Sequence, residues 1–425
     1  MVLTRSAAAA AAIATPAPEP DATPQAYRYV TEEGVKHILA YRYSGSDASL
    51  LYNHVISPLA QWLVDHVLSP RLAPNAITIG ALSLVILSHV IMLGYSPNMA
   101  EEAPRWVYAN AGVSLLFYQI LDVADGKQAR KTGNSSPLGL LFDHGCDALN
   151  VVVSACTFAS TVMLGPTYWS LLLFLAPAMV FFMATWEEYY TGTLALPIIN
   201  GPNEGLLIMY SIYLGTAIVG PTVWTQPNIL FPHLNNNHVF VLFTITSAVG
   251  QCFFSGEWLV LASSWLALHK GIYIWVVLVA RAAVVAIRSM ESKAKDGAAA
   301  LFGITPFIAL VSLSALWVLW SPSDVFTDHP RLLIWTVGLV FAKMVMHMML
   351  SHMCEEPYWL LRKTFLIQLV ASFLLVAGIV PWGRESSVVE LFFVISLSAY
   401  VHMIYFVSTE LATILGIRIF KVKQG

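Results

Sequence analysis

Asp122, Asp125, Asp143, His144 and Asp147 stand close together in a chain that is otherwise strongly apolar. A carboxylate at the centre of a membrane helix costs roughly 2.5 to 3.5 kcal/mol, so four oppose burial by on the order of 10 kcal/mol unless cations neutralise them. The cluster therefore predicts a bound metal. Asp122 and Asp125 are three residues apart and Asp143 and Asp147 four apart, spacings that put each pair on one helix face. If the two helices pack together, the carboxylates converge on a pocket of hard oxygen ligands, which suits Mg2+ or Ca2+ rather than a thiolate-seeking metal. A pair of divalent ions there would hold both the attacking and the leaving oxygen of a phosphoryl transfer.

The neighbours fit that chemistry. Gly126 follows Asp125 and Gly139 precedes Asp143 by one turn, where a missing side chain lets a nucleotide approach the backbone. Lys127, Arg130 and Lys131 offer positive charge to phosphate oxygens, although the basic rim of a cytosolic loop accounts for Lys127 and Lys131 equally well. His144 shares a face with Asp147 and can accept a proton from an alcohol; orienting Asp143 is the other role open to it. Glu204, in the turn Gly201-Pro202-Asn203-Glu204-Gly205, could hydrogen-bond the imidazole, and a solvated loop glutamate fits the same pattern. Glu187 and Glu188 beside Tyr189 and Tyr190 read as lining for a substrate entry or as an interfacial belt of aromatics and acids. His347, His352, Cys354, Glu355 and Glu356 match no single metal site, and the glycosylation-like Asn134-Ser135-Ser136 falls inside the cytosolic cluster.

These residues must be positioned by membrane helices. Of the 425 residues, 57% are hydrophobic and 11% charged, against about 25% charged in soluble domains. An all-α, polytopic integral membrane protein is predicted. The net charge of -3 and the lack of a long basic run exclude nucleic-acid binding. Four cysteines without a C-x-x-C pair indicate neither a disulfide framework nor a zinc site.

Residues 1–45, with an alanine run and then Pro16, Pro18, Pro20 and Pro24, read as a disordered cytosolic tail in preference to a cleaved signal. Residues 46–425 form the membrane domain, with a catalytic core at about 73–225 and C-terminal helices at about 270–413. The mixed stretch 50–69 predicts a helix lying in the interface. About ten crossings follow, at 73–95, 104–124, 137–163, 168–189, 205–224, 270–288, 299–320, 331–353, 364–382 and 388–413. The stretch 238–268 is ambiguous: a re-entrant or luminal insertion, or two further crossings. Arg71, Lys127, Arg130, Lys131, Arg288, Lys293, Arg362, Lys363, Arg418 and Lys421 share one side, so that side and the acid cluster face the cytosol. No internal repeat is evident, which argues against a transporter of inverted halves. A cation-coupled transporter would also spread its acids across the bilayer depth.

The string D-x2-D-G-x2-A-R-x8-G-x3-D-x3-D is met by Asp122, Asp125, Gly126, Ala129, Arg130, Gly139, Asp143 and Asp147. It resembles the signature of the CDP-alcohol phosphotransferase family. The fuller text, with Ser135-Ser136-Pro137-Leu138-Gly139, Phe142-Asp143-His144-Gly145-Cys146-Asp147, Ala73-Pro74-Asn75 and the Gly201 to Gly205 turn, is similar to the eukaryotic choline and ethanolamine phosphotransferases. The resemblance implies transfer of phosphocholine or phosphoethanolamine from CDP-choline or CDP-ethanolamine to diacylglycerol, with release of CMP. It assigns the four aspartates to two Mg2+ ions, for which Mn2+ substitutes. It gives the CDP group to Gly126, Ala129, Arg130, Asn75 and Gly139, and the base role to His144 with Glu204 as helper. An endoplasmic reticulum or Golgi membrane and a homodimer are family expectations. Another alcohol such as inositol is the alternative within the family, and the length of about ten crossings argues against it.

Overall fold

Prolines and small polar residues set the starts of the helices in the computed structural model, which describes residues 29–253, 300, 302–321, 324–358, 363–380 and 383–422. The first helix, α1 (Glu32–Ala40), begins at Thr31, whose hydroxyl accepts from the Gly34 N–H, with Glu32 and Glu33 in its first turn. This corrects the expectation of a disordered tail reaching residue 45. Distant partners order the segment: the Tyr29 N–H donates to Glu410 at 3.0 Å and the Thr31 hydroxyl to Glu356 at 2.7 Å. A short strand, β1 (Gly45–Asp47), follows.

A π turn over Tyr52–Ile56 leads into α2 (Ser57–His66), where Pro58 stands in the first turn. Ala60 and Val64 pack with Ala124 while Leu59, Trp62 and Val67 stay exposed, the pattern of an interfacial helix. The chain continues through α3 (Pro74–Tyr95), α4 (Arg105–Lys131), α5 (Pro137–Thr161), α6 (Tyr168–Thr191), β2 (Leu194–Leu196), α7 (Leu206–Val219) and α8 (Asn236–Phe253). After it come α9 (Thr305–Trp320), α10 (Val325–Asp328), α11 (Pro330–Met353), α12 (Lys363–Val376) and α13 (Glu385–Leu415). Proline opens α3, α5, α9 and α11, where its missing N–H leaves no bond unmade.

Among the described residues, helices occupy nine of the ten expected crossings, and five are long and apolar enough to span a bilayer by themselves. The expected crossing 270–288 lies outside the described residues, as does the second half, 254–268, of the ambiguous stretch 238–268. The described beginning of that stretch belongs to α8 and packs on α6.

Helix α5 sits at the centre, against α3, α6 and α11, while α4 packs on α3 and α7. A Cβ at Gly338 of α11 would come within 2.5 Å of Val152, so glycine permits the close approach of α11 to α5. The outer face of α13 exposes Leu391, Val394, Leu397 and Val401 while Val389, Phe392, Ser396, Tyr400 and Met403 turn inward. β1 and β2 pair in parallel, Gly45 opposite Leu194.

The turn between α4 and α5 positions the acids. Gly133 adopts φ +66°, the Asn134 N–H donates to the Ala129 carbonyl at 2.8 Å, and Ser136 caps α5. The chain reverses within five residues, 132–136. At a rise of about 1.5 Å per residue, Asp122 lies about 14 Å from the end of α4 and Asp147 about 15 Å from the start of α5, with Asp125 and Asp143 each about 9 Å in. The four acids thus come to two matched levels.

Candidate active site

Asp122 on α4 and Asp143 and Asp147 on α5 each direct a carboxylate oxygen to a common point, the three oxygens lying within 4.8 Å of one another. Asp122 Oδ1 and Asp143 Oδ1 are buried and accept no hydrogen bond. Tyr118, one turn before Asp122, donates its hydroxyl to Asp147 Oδ1 at 2.6 Å. Buried acceptors are satisfied in nearly all native structures, and an all-oxygen donor set with orphaned members fits a hard divalent cation. Asp125 behaves differently: it is buried, and its carboxylate accepts from the Thr78 hydroxyl of α3. The structure places it beside the converging trio rather than within it.

The residues expected to hold a nucleotide line the rim. A Cβ at Gly126 would lie 3.6 Å from Arg130 Nη1, so the guanidinium folds back over the glycine. A Cβ at Gly139 would lie 3.6 Å from Asn75 Oδ1 and 3.5 Å from Ser136 Oγ, which brings Asn75 of α3 beside the first turn of α5. Asn75 Nδ2 also donates to the Ile419 carbonyl at 2.9 Å, tying the end of the described chain to this rim. Ala129 is half-buried on the same α4 wall. Buried Gln128 donates to the Ser69 and Leu72 carbonyls at 2.9 and 3.1 Å, fastening the turn that precedes α3.

His144 is buried, and its Nδ1 lies 3.1 Å from the Leu140 carbonyl. A carbonyl only accepts, so Nδ1 carries the hydrogen and Nε2 of the neutral ring is left to take a proton. The expected pairing of Glu204 with this ring is corrected. Glu204 lies in the π turn Gly201–Gly205, where Oε1 accepts from Ser49 Oγ at 2.6 Å and Oε2 from the Asn200 N–H at 3.0 Å. The carboxylate set against the imidazole belongs to Glu188 of α6, with Oε2 3.9 Å from Nε2 and the side chain 1% exposed.

The π turn is held from two sides. Asp47 accepts from the Ser49 N–H at 2.8 Å, Asn200 Nδ2 at 3.1 Å and Asn203 Nδ2 at 2.7 Å. Burial raises the Asp47 carboxyl above its usual range, and these hydrogen bonds oppose the rise. From below, Gln119 Nε2 donates to the Pro202 and Asn203 carbonyls at 3.1 and 3.2 Å.

Sequence reasoning passed over Tyr118, Thr78 and Gln128. The spacing of Tyr118 four residues before Asp122 was a usable signal; Thr78 and Gln128 gave none, because their partners lie on other segments.

A sequence profile of the family described as CDP-alcohol phosphatidyltransferase matches residues 71–229. Choline/ethanolaminephosphotransferase 2 of Arabidopsis thaliana is 32% identical over 410 residues, covering 93% of this chain and 99% of that protein. Choline/ethanolaminephosphotransferase 1 of Saccharomyces cerevisiae is 30% identical, covering 84% of this chain and 88% of its own length. Cholinephosphotransferase 1 of the same yeast is 29% identical over 80% of this chain and 82% of its own.

Proposed function

The chain belongs to the CDP-alcohol phosphatidyltransferase family, and we propose that it transfers phosphocholine or phosphoethanolamine from CDP-choline or CDP-ethanolamine to diacylglycerol, releasing CMP. The observation that carries this reading is the meeting of Asp122, Asp143 and Asp147, two of them with orphaned buried oxygens, beside a histidine whose Nε2 is free to accept a proton.

Asp122, Asp143 and Asp147 would hold Mg2+, with Mn2+ as a substitute; Asp125, one helix turn from Asp122, is the side chain placed to reach a second ion. Bound there, divalent ions supply charge stabilisation to a transferring phosphoryl group and its leaving oxygen. Arg130 over Gly126, with Asn75 and Gly139 across from it, would receive the CDP portion. His144 Nε2 would take the diacylglycerol hydroxyl proton as that oxygen attacks the phosphorus bearing the head-group alcohol. The Leu140 carbonyl fixes the ring in the required tautomer. The donor would enter from the cytosolic face, where Lys127, Arg130 and Lys131 sit, and the lipid from the bilayer. Membership of an endoplasmic reticulum or Golgi membrane, and a homodimer, accompany this proposal.

Purified protein given radiolabelled CDP-choline or CDP-ethanolamine, diacylglycerol and Mg2+ tests the reading. Label in a lipid product, lost in Asp147→Ala, is expected. No lipid product from either donor in folded protein overturns it.

A further inference from the structure

Glu188 is the most conspicuous polar side chain that this reaction leaves unused. It is 1% exposed, and neither carboxylate oxygen accepts a hydrogen bond. Its Oε2 faces His144 Nε2 at 3.9 Å, too far for a hydrogen bond, and Nε2 is itself an acceptor because Nδ1 carries the ring hydrogen. Two acceptors turned toward each other in a low-dielectric interior repel unless a positive group lies between or beside them. When Nε2 takes the lipid hydroxyl proton, the imidazolium becomes a partner for Glu188; before that step the carboxylate has none. A cationic group of the substrate beside the carboxylate would supply that partner in the resting site.

The Glu188 charge reaches two tyrosines in the segment between α1 and β1. The Tyr43 phenol is pushed up to about 12 by burial, then by the Glu188 charge and then by that of Asp143, so this ring lies within the field of both Glu188 and the aspartate cluster. Burial and the Glu188 charge also raise Tyr41, whose ring stands edge-on to His352 at 5.7 Å. Phe181 meets the His144 ring edge-on at 6.4 Å. A carboxylate with aromatic neighbours is a common recognition device for ammonium groups.

We infer that Glu188 is the counter-charge site for the ammonium head of the CDP-linked alcohol. This rests on the transfer reaction proposed above and names a part of the chain that the signature motif does not contain. In choline and ethanolamine two methylene groups separate the phosphate ester oxygen from nitrogen, and Glu188 faces the imidazole of His144, the residue next in sequence to Asp143. The phosphorus would sit at the aspartates and the nitrogen beside Glu188, leaving His144 between them to meet the incoming hydroxyl.

The test compares CDP-choline with its neutral isostere, the CDP ester of 3,3-dimethylbutanol, in which carbon replaces the quaternary nitrogen. Each displaces labelled CMP from full-length protein in lipid nanodiscs with Mg2+. Wild type should prefer the cationic ligand by about tenfold or more. Glu188→Gln should bring that ratio close to one while leaving CMP binding unchanged, and Glu188→Asp should keep part of the preference. A wild-type ratio of one overturns the proposal, and that arm needs no variant. An equal ratio in wild type and Glu188→Gln also overturns it, as does a fall in transfer rate with the ratio intact, which would assign Glu188 to His144 instead. Absence of lipid product from wild type with either donor would remove the transfer reading, while the displacement ratio would still decide the fate of the carboxylate site.

Discussion

The two ends of α5 are built from similar materials and finished differently. At the end away from the acids, Thr157 holds His89 Nδ1 at 2.9 Å, Ser160 Oγ donates to the Cys156 carbonyl at 3.1 Å, and Ser154 Oγ donates to Asn150 at 2.8 Å. Arg331 of α11 enters the same layer, with Nε to the Pro97 carbonyl at 2.9 Å and its other nitrogens to Ser96, Ser160 and Cys156 oxygens. A buried cation is thereby satisfied by four oxygen dipoles. At the acidic end, oxygens of Asp122, Asp143 and Glu188 are equally buried and receive nothing. Saturated polar groups mark scaffold at one end of α5, and at the other the orphaned carboxylates mark the place kept for something that arrives from outside.

The largest effect that would break this contrast is at the orphaned end. Asp147→Ala or Asp122→Ala should lower transfer by more than about 10³-fold, because several kcal/mol of transition-state stabilisation goes with the cation. Size-exclusion elution should remain that of folded protein. Chelation with EDTA should have the same effect on wild type and be reversed by Mg2+, and divalent ions should raise the melting temperature of wild type but not of Asp143→Asn. Unchanged activity in either alanine variant would sink the assignment.

His144→Ala comes next, at about 10²- to 10⁴-fold in transfer rate, the usual worth of a general base. A loss confined to KM would count against a proton-accepting role. At the saturated end the sign of the experiment reverses. Arg331→Met should destabilise by about 1 to 3 kcal/mol, through carbonyls and a hydroxyl left unpaired, and leave the rate per folded molecule within about twofold. Thermal unfolding beside a transfer assay reads both quantities. The smallest effect belongs to the rim, where Lys131 meets Asp65 at 3.0 Å and the Val64 carbonyl at 2.8 Å in partial solvent. Lys131→Gln should shift stability by less than about 1 kcal/mol, measured the same way.

Much of the acidic end was legible because its information is local. Spacings of three and four residues fixed the faces of α4 and α5. The interfacial character of α2 was equally plain from Trp62, Asp65 and Pro58. Residues whose meaning depends on another helix were not legible. Glu204 looked like the partner of His144 because it followed a conspicuous turn, yet Ser49 and Asn200 claim it. Glu188 takes that place because α6 runs back along α5, and its sequence neighbourhood of Glu187, Tyr189 and Tyr190 is indistinguishable from a membrane-interface belt. The ordering of residues 29–45 was hidden for a similar reason: an alanine- and proline-rich lead-in gives no hint of docking sites at Glu356 and Glu410.

Those docking sites bear on how the protein is made. Ser44 meets Thr193 across 149 residues of sequence, and Tyr29 meets Glu410 across 381. During synthesis the early segment leaves the ribosome long before either partner exists, so it waits while the chain through α6 is made before β1 finds β2. It is sealed only when α13, the last helix, is in place. Premature termination before α13 therefore leaves the Tyr29 end of the first segment without its Glu410 anchor, a molecular sign of incompleteness that quality-control proteases could read.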